Sequence, residues 1–234
     1  MAKKYKGSKV KTKVGDLSFV LIQGDGIDTA STGQEPNMKY IAILECDEGG
    51  EIHEHFKAQV EAEWERYKNT FGVKGRPAKN KYGVPMTGIA PKMVQNDAKI
   101  DPETGEGTWE PTGKVSITFK TNTTWADGKR VVVKVYNGKS QDITDDLSDA
   151  NQSIGKGSRG IIHGTAQGNN AGDAHKVTLY LSAVQLAKFV PYDGTDVETE
   201  DIEGAEEINI VPSVPDSGGI VPEIDIDEDE IPFS

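Results

Sequence analysis

The chain has 234 residues, a formal charge of −12 and one cysteine, Cys46. Mean hydropathy is −0.54. No apolar run approaches the roughly 18 residues of a membrane span. Residues 1–10 carry lysines but neither an apolar core nor a small-residue cleavage site. A membrane helix, a disulfide scaffold and a cysteine-built zinc site are thereby excluded. The expectation is a soluble, cytosolic protein of one large domain or two small ones.

The charge is unevenly placed. All 26 basic residues and 23 of the 38 acidic ones lie in 1–192, so the body carries +3 and residues 193–234 carry −15. Such asymmetry is frequent in proteins that handle nucleic acid.

In chain order, Lys3, Lys4, Lys6, Lys9, Lys11 and Lys13 form a basic N-terminal run suited to phosphate contacts. Residues 17–22 and 38–44 are β-branched and aromatic and predict strands. Residues 51–69 break the pattern. Ile52, Phe56, Val60, Trp64, Tyr67 and Phe71 recur at helical spacing, with Glu54, Lys57, Glu61, Glu65 and Lys68 opposite. That is an amphipathic helix whose aromatic stripe reads as core. Further strands are predicted at 114–119, 130–136, 160–163 and 176–181, with turns at Asp127-Gly128 and Asn137-Gly138. In 114–119, Val115, Ile117 and Phe119 face one way, while Lys114, Ser116, Thr118 and Lys120 face the other. The fold class is mainly β. An OB-fold-like barrel with an inserted amphipathic helix over 1–192 is expected, and a β-sandwich fits the strand count nearly as well. Residues 193–234 have the Asp, Glu, Gly, Pro and Ser composition of a disordered tail.

Catalytic patterns fall away on inspection. Ala150 stands where a phosphate loop around Lys156 requires glycine, and Glu230 stands where a calcium loop starting at Asp225 requires glycine. His53 and His55 are two apart and point to different sides of the helix, and His163 and His175 are isolated. No enzyme, metal or cofactor is therefore expected. The remaining enzymatic reading is a metal-dependent nuclease using carboxylates such as Asp97 and Asp101.

A binder of unpaired strands needs cations for phosphates and exposed rings for bases. Lys74, Arg76, Lys79 and Lys81 adjoin Tyr82 in one loop. Phe119, Lys120, Trp125, Lys129, Arg130, Lys134 and Tyr136 surround one hairpin. Trp109 sits in a polar loop, and Lys156 and Arg159 flank a glycine turn. The C-terminal end is a dense anionic run, Asp225, Asp227, Glu228, Asp229 and Glu230, followed by the apolar tip Ile231, Pro232 and Phe233. The acids can steer toward a basic patch while the tip enters a small pocket.

Two resemblances bear on this reading. The tip resembles that of bacterial single-stranded-DNA-binding proteins, in which an acidic tail ends in Ile-Pro-Phe. There the phenylalanine is terminal and its carboxylate docks, whereas here Ser234 follows. Residues 154–163 and 176–186 resemble the closing strands of tailed-phage replication single-stranded-DNA-binding proteins, and 114–119 and 130–136 fit the middle strands. That resemblance implies an OB barrel, sequence-independent binding of single-stranded DNA and a life in the cytoplasm of the infected bacterium. It also implies recruitment of polymerase, helicase or nuclease through the tail, and a homodimer is compatible with it. The alternative is a β-rich interaction or virion protein with a solubilising tail. If the tail competes with DNA for the basic groove, deleting 193–234 tightens binding to oligothymidylate, most at low salt. Equal affinities of full-length and shortened chains in a salt-series titration refute that competition.

Overall fold

The computed structural model describes residues 5–30, 34–80, 83–96, 108–171 and 174–192. The strands are β1 (Ser8–Lys11), β2 (Gly15–Leu21), β3 (Ile27–Asp28), β4 (Met38–Asp47), β5 (Ile89–Asn96), β6 (Thr108–Asn122), β7 (Lys134–Tyr136), β8 (Arg159–Ala171) and β9 (Ala174–Lys188). The helices are α1 (Glu51–Phe71), between β4 and β5, and α2 (Thr144–Asp149), between β7 and β8.

Five strands close into a ring. β2 pairs with β4 and β4 with β6, both antiparallel. β6 meets β9 in parallel at Lys120 and Tyr180. β9 pairs with β8 as a long hairpin, and β8 returns to β2 at Gly160 and Gly15. Numbered within the ring, the order is first, second, third, fifth, fourth and back to first. That is the connectivity of an OB barrel and not of a sandwich. β1 extends the edge of β8, β3 adds to β4, and β7 runs beside β9. β5 pairs with the first part of β6 to form a two-stranded arm.

The interior is filled by Leu17, Tyr40, Leu44, Ile117, Phe119, Ile162 and Val184. Phe119 is the central ring. It packs on Phe56 of α1 at 5.5 Å between centroids. A β-carbon at Gly164 would lie 2.6 Å from the Phe119 ring and 2.2 Å from the Tyr180 carbonyl oxygen. Only glycine admits this close approach of β8, β9 and the ring.

The predicted helix is present. The Gly49 amide donates to His53 Nδ1 (2.9 Å), which supplements the first turn where Gly50 has no side chain to cap it. Glu51 and Glu54 sit at the N-terminal end and Lys68 in the last turn, as the helix dipole favours. Gly72 ends the helix with φ 66°, in the left-handed region. Phe56, Val60, Trp64 and Tyr67 are buried as expected, but Phe71 is 53% exposed. It lies in the last turn, beyond the reach of the barrel core.

Two further expectations change. Of the strand predicted over 130–136, only β7 (Lys134–Tyr136) forms. The turn at Trp125–Gly128 brings Arg130 back beside Thr124, and the chain then crosses from β6 toward β9. β6 runs 15 residues, well past the predicted 114–119, because its first half pairs with β5.

Glu63 occupies the face of α1 turned toward β1 and β8, and its side chain is fully buried. Its carboxylate accepts from the Tyr5 hydroxyl (2.7 Å), the Ser8 hydroxyl (2.7 Å), Arg66 Nε (2.9 Å) and the Gly168 amide (3.2 Å). Burial alone raises a carboxyl pKa. Here the bonds from Arg66, Ser8, Tyr5 and Gly168 outweigh it and hold the group below its ordinary value. One acid thus ties the N-terminal segment, the helix and β8 together. Glu63→Ala leaves four donors without their acceptor and is expected to cost about 3 kcal/mol at neutral pH. A folded-state pKa below the unfolded value near ~4.3 confers stability above that pH, lost as pH falls through the folded value. Urea midpoints of wild type and Glu63→Ala should therefore converge in acid. A constant gap from neutral pH down to the acid limit contradicts the assignment.

Candidate nucleic-acid interface

A bulge decides what the barrel shows to solvent. Along β2, Leu17 opposes Leu44 while Phe19 opposes Ile43, so Ser18 is an extra residue. Strict alternation would put Leu17 and Phe19 on one side. With the bulge, Leu17 is buried and Phe19 is 43% exposed. Cross-strand rows then run over the outer surface. Phe19, Ile43 and the buried Thr118 form one, and Leu21, the buried Ile41, Lys120 and Tyr180 form the next. Lys39 and Asn122, which share a side-chain hydrogen bond, form the third. Tyr180 is 39% exposed. Phe19 and Tyr180 lie three strands apart by way of β4 and β6 and two apart by way of β8.

Two ammonium groups lie among these apolar side chains. Burial lowers the pKa of Lys39; burial and then the Lys39 charge lower that of Lys120. Desolvated neighbours of like charge gain from an anion placed between them, and a phosphate supplies one. Glu45, on the same face, is neutralised by Lys92 at 2.8 Å.

The loops at the far end of β6 border this face. The Trp125 amide donates to the Lys129 carbonyl (2.7 Å) and the Gly128 amide to the Trp125 carbonyl (2.9 Å). This tight turn leaves Trp125 exposed at its tip. Lys129 pairs with Asp127 at 3.2 Å. Arg130 Nε donates to the Tyr40 hydroxyl (2.9 Å), which donates to the Gly24 carbonyl (3.0 Å), and the Arg130 fork also reaches that carbonyl. Arg130 thus fastens the β2–β3 loop to the turn carrying Trp125.

The remaining predicted residues scatter. Phe119 is fully buried, so the stacking role expected for it is corrected: it is a core ring. Lys134 of β7 pairs with Asp142 at 2.9 Å, and Tyr136 is half-buried. The Thr144 hydroxyl and then Lys134 hold Asp142 down to about 2. Arg159 pairs with Asp16 at 3.1 Å, and Lys156 is exposed in the turn before β8, at the other end of the β8–β9 hairpin from Asn170 and His175. Trp109 is exposed on the β5–β6 arm opposite Gln95. Lys74, Arg76 and Lys79 are exposed on the segment that follows α1. Lys81, Tyr82 and the tail residues 225–233 lie outside the described residues, as do Asp97 and Asp101.

Sequence reasoning missed Phe19, Lys39 and Tyr180. Strict alternation from Leu17 would turn Phe19 inward, and the bulge that turns it out is not visible in the sequence. Tyr180 lies in a strand whose partners are remote in sequence. Lys39 was legible only as the polar position of an alternating strand. Among the described residues, no group of three potential metal ligands gathers, and no helix is long and apolar enough to cross a membrane. Truncation separates the two kinds of ring. Phe19→Ala is expected to change stability by no more than about 0.5 kcal/mol. Phe119→Ala is expected to cost about 3–5 kcal/mol. Equal costs in urea denaturation contradict the outward placement of Phe19.

No family model matches this sequence, and no curated protein is similar to it. Among solved structures, gp2.5, a single-stranded DNA binding protein encoded by bacteriophage T7, is similar over 87% of this chain and 100% of that one, with 12% identity and a TM-score of 0.48. The single-stranded DNA-binding protein from bacteriophage Enc34, in complex with ssDNA, is similar over 82% of this chain and 96% of that one, with 16% identity and a TM-score of 0.44. A further Enc34 structure covers 84% of this chain and 94% of its own, at 16% identity and a TM-score of 0.42.

Proposed function

We propose that this chain binds single-stranded DNA without sequence preference and serves phage DNA replication or recombination. The observation that carries the reading is the outer barrel surface, where exposed Tyr180 lies beside Lys120, Lys39 lies on the neighbouring strand β4, and exposed Phe19 stands on β2. Rings stack on any base, because every base has a π-face, and the ammonium groups meet the phosphates. The strand-two and strand-three surface of an OB barrel is also where such barrels hold oligonucleotides. Trp125 and Lys129 border that surface and extend its reach.

In this reading residues 193–234 have the second task. Their fifteen carboxylates cover the basic face, or that of a sister barrel, when DNA is absent. When a strand displaces them, Ile231-Pro232-Phe233 becomes available to a polymerase, helicase or nuclease. The protein acts in the host cytoplasm and has no catalytic step.

Titration with oligothymidylate, followed by tryptophan emission, tests the binding reading. Tyr180→Ala and Phe19→Ala are each expected to weaken binding by roughly 5- to 150-fold, the range for losing one stacked base. Lys39→Ala and Lys120→Ala should each flatten the log–log salt slope by about 0.7. Absence of a complex at low ionic strength, or wild-type affinity in the Phe19/Tyr180 double variant, overturns the reading.

A further inference from the structure

An open groove of about 780 Å³ lies between the C-terminal end of α1, the segment after it and the end of the β8–β9 hairpin. Phe71 forms one wall, exposed where the other aromatic rings of the α1 stripe are buried. Tyr5 and Tyr67 brace it, with centroids 5.2 and 5.0 Å from its own. The ring is therefore held in place while about half of its surface stays open.

The facing wall is amide and imidazole. Asn170 Oδ1 accepts from the Tyr67 hydroxyl and from His175 Nδ1, the latter at 2.9 Å. With its oxygen committed to two donors, the Asn170 carboxamide keeps its Nδ2 hydrogens for a ligand. A donor pair opposite an aromatic ring suits a flat molecule that carries a carbonyl on its edge.

Cations continue from the groove. Lys74 lines it, and Arg76 and Lys79 follow on the same segment, exposed. Among the described residues, none of the three has a carboxylate partner. The segment is anchored: Trp64 Nε1 donates to the Gly75 carbonyl (3.2 Å), and the Ala78 amide donates to the His175 carbonyl (2.8 Å). His175 lies about 17 Å along β9 from Tyr180 and on the opposite side of the strand from Tyr180, Thr178 and Lys176.

We propose that this groove is a second nucleotide subsite, taking one unpaired base from a strand that has already crossed the barrel face. The base stacks on Phe71, its carbonyl accepts from Asn170 Nδ2, and the adjoining phosphates meet Lys74, Arg76 and Lys79. Thymine, cytosine and guanine offer such a carbonyl and adenine does not. The inference rests on the single-strand reading above and adds to it a position and a base preference.

The test uses the full chain with oligothymidylates of about 6 and about 20 nucleotides, bracketing the site of one barrel. Phe71→Ala and Lys74→Glu are expected to leave the short oligomer's affinity within about twofold and to weaken the long one roughly tenfold. Phe71→Trp should retain long-oligomer affinity, which separates loss of stacking from loss of folding. Asn170→Ala should cost less with oligodeoxyadenylate than with oligothymidylate. If wild type binds neither oligomer, the single-strand reading fails and this one with it. If wild type binds and all three weakening variants match it on the long oligomer, only this proposal falls. It is likewise overturned if Phe71→Ala leaves DNA affinity intact but abolishes binding of a peptide of residues 225–234, which would make the groove a peptide dock.

Discussion

Closure of the sheet depends on β8 being paired along both edges. One edge takes the whole length of β9, and the other takes β2 and β1 in succession. A strand in that position has no freedom to slide, because a one-residue slip turns every side chain to the wrong side. The ring so formed encloses a space that Phe119 and Phe56 fill, and Gly164 lets the backbones approach that far. The outer surface inherits its shape from this interior. Where β6 and β9 touch, at Lys120 and Tyr180, the cation and the ring that a nucleic acid would meet are side by side because the barrel is shut there.

The same strands therefore serve two purposes without conflict. Inward residues supply the apolar area that offsets chain entropy. Outward residues on β2–β4–β6–β9 include the exposed rings Phe19 and Tyr180 and the ammonium groups of Lys39 and Lys120, beside aliphatic Leu21, Ile41 and Ile43. The Ser18 bulge lets β2 turn large apolar side chains to both sides, Leu17 being the inward neighbour and Phe19 the outward one. Elsewhere the cations are committed: Arg130, Lys134 and Arg159 each hold a carboxylate or carbonyl of the chain itself.

Two hydrogen-bonded hubs hold what borders the face. Arg130, Tyr40 and Gly24 lock the turn that carries Trp125. Glu63 gathers Tyr5, Ser8, Arg66 and β8, and so sets the end of α1 from which Phe71 projects. A surface whose loops are already ordered loses less entropy when a flexible strand binds, so more of the stacking energy appears as affinity.

The barrel class, the inserted helix and the acidic character of residues 193–234 were legible from local pattern alone. Period-two alternation in 114–119, the helical stripe from Ile52 to Tyr67 and the one-sided charge are properties of neighbouring residues, so a sequence displays them directly. The interface was legible only in part. Trp125 and Lys129 are exposed, Lys120 is half-buried and Phe119 is core. The outward turn of Phe19 depends on one extra residue in β2, whose effect exists only once β4 is paired beside it. Tyr180 beside Lys120, and Asn170 beside Tyr67, join residues 60 and 103 positions apart. Contacts of that range follow from closure of the ring and docking of α1, and no local propensity encodes them.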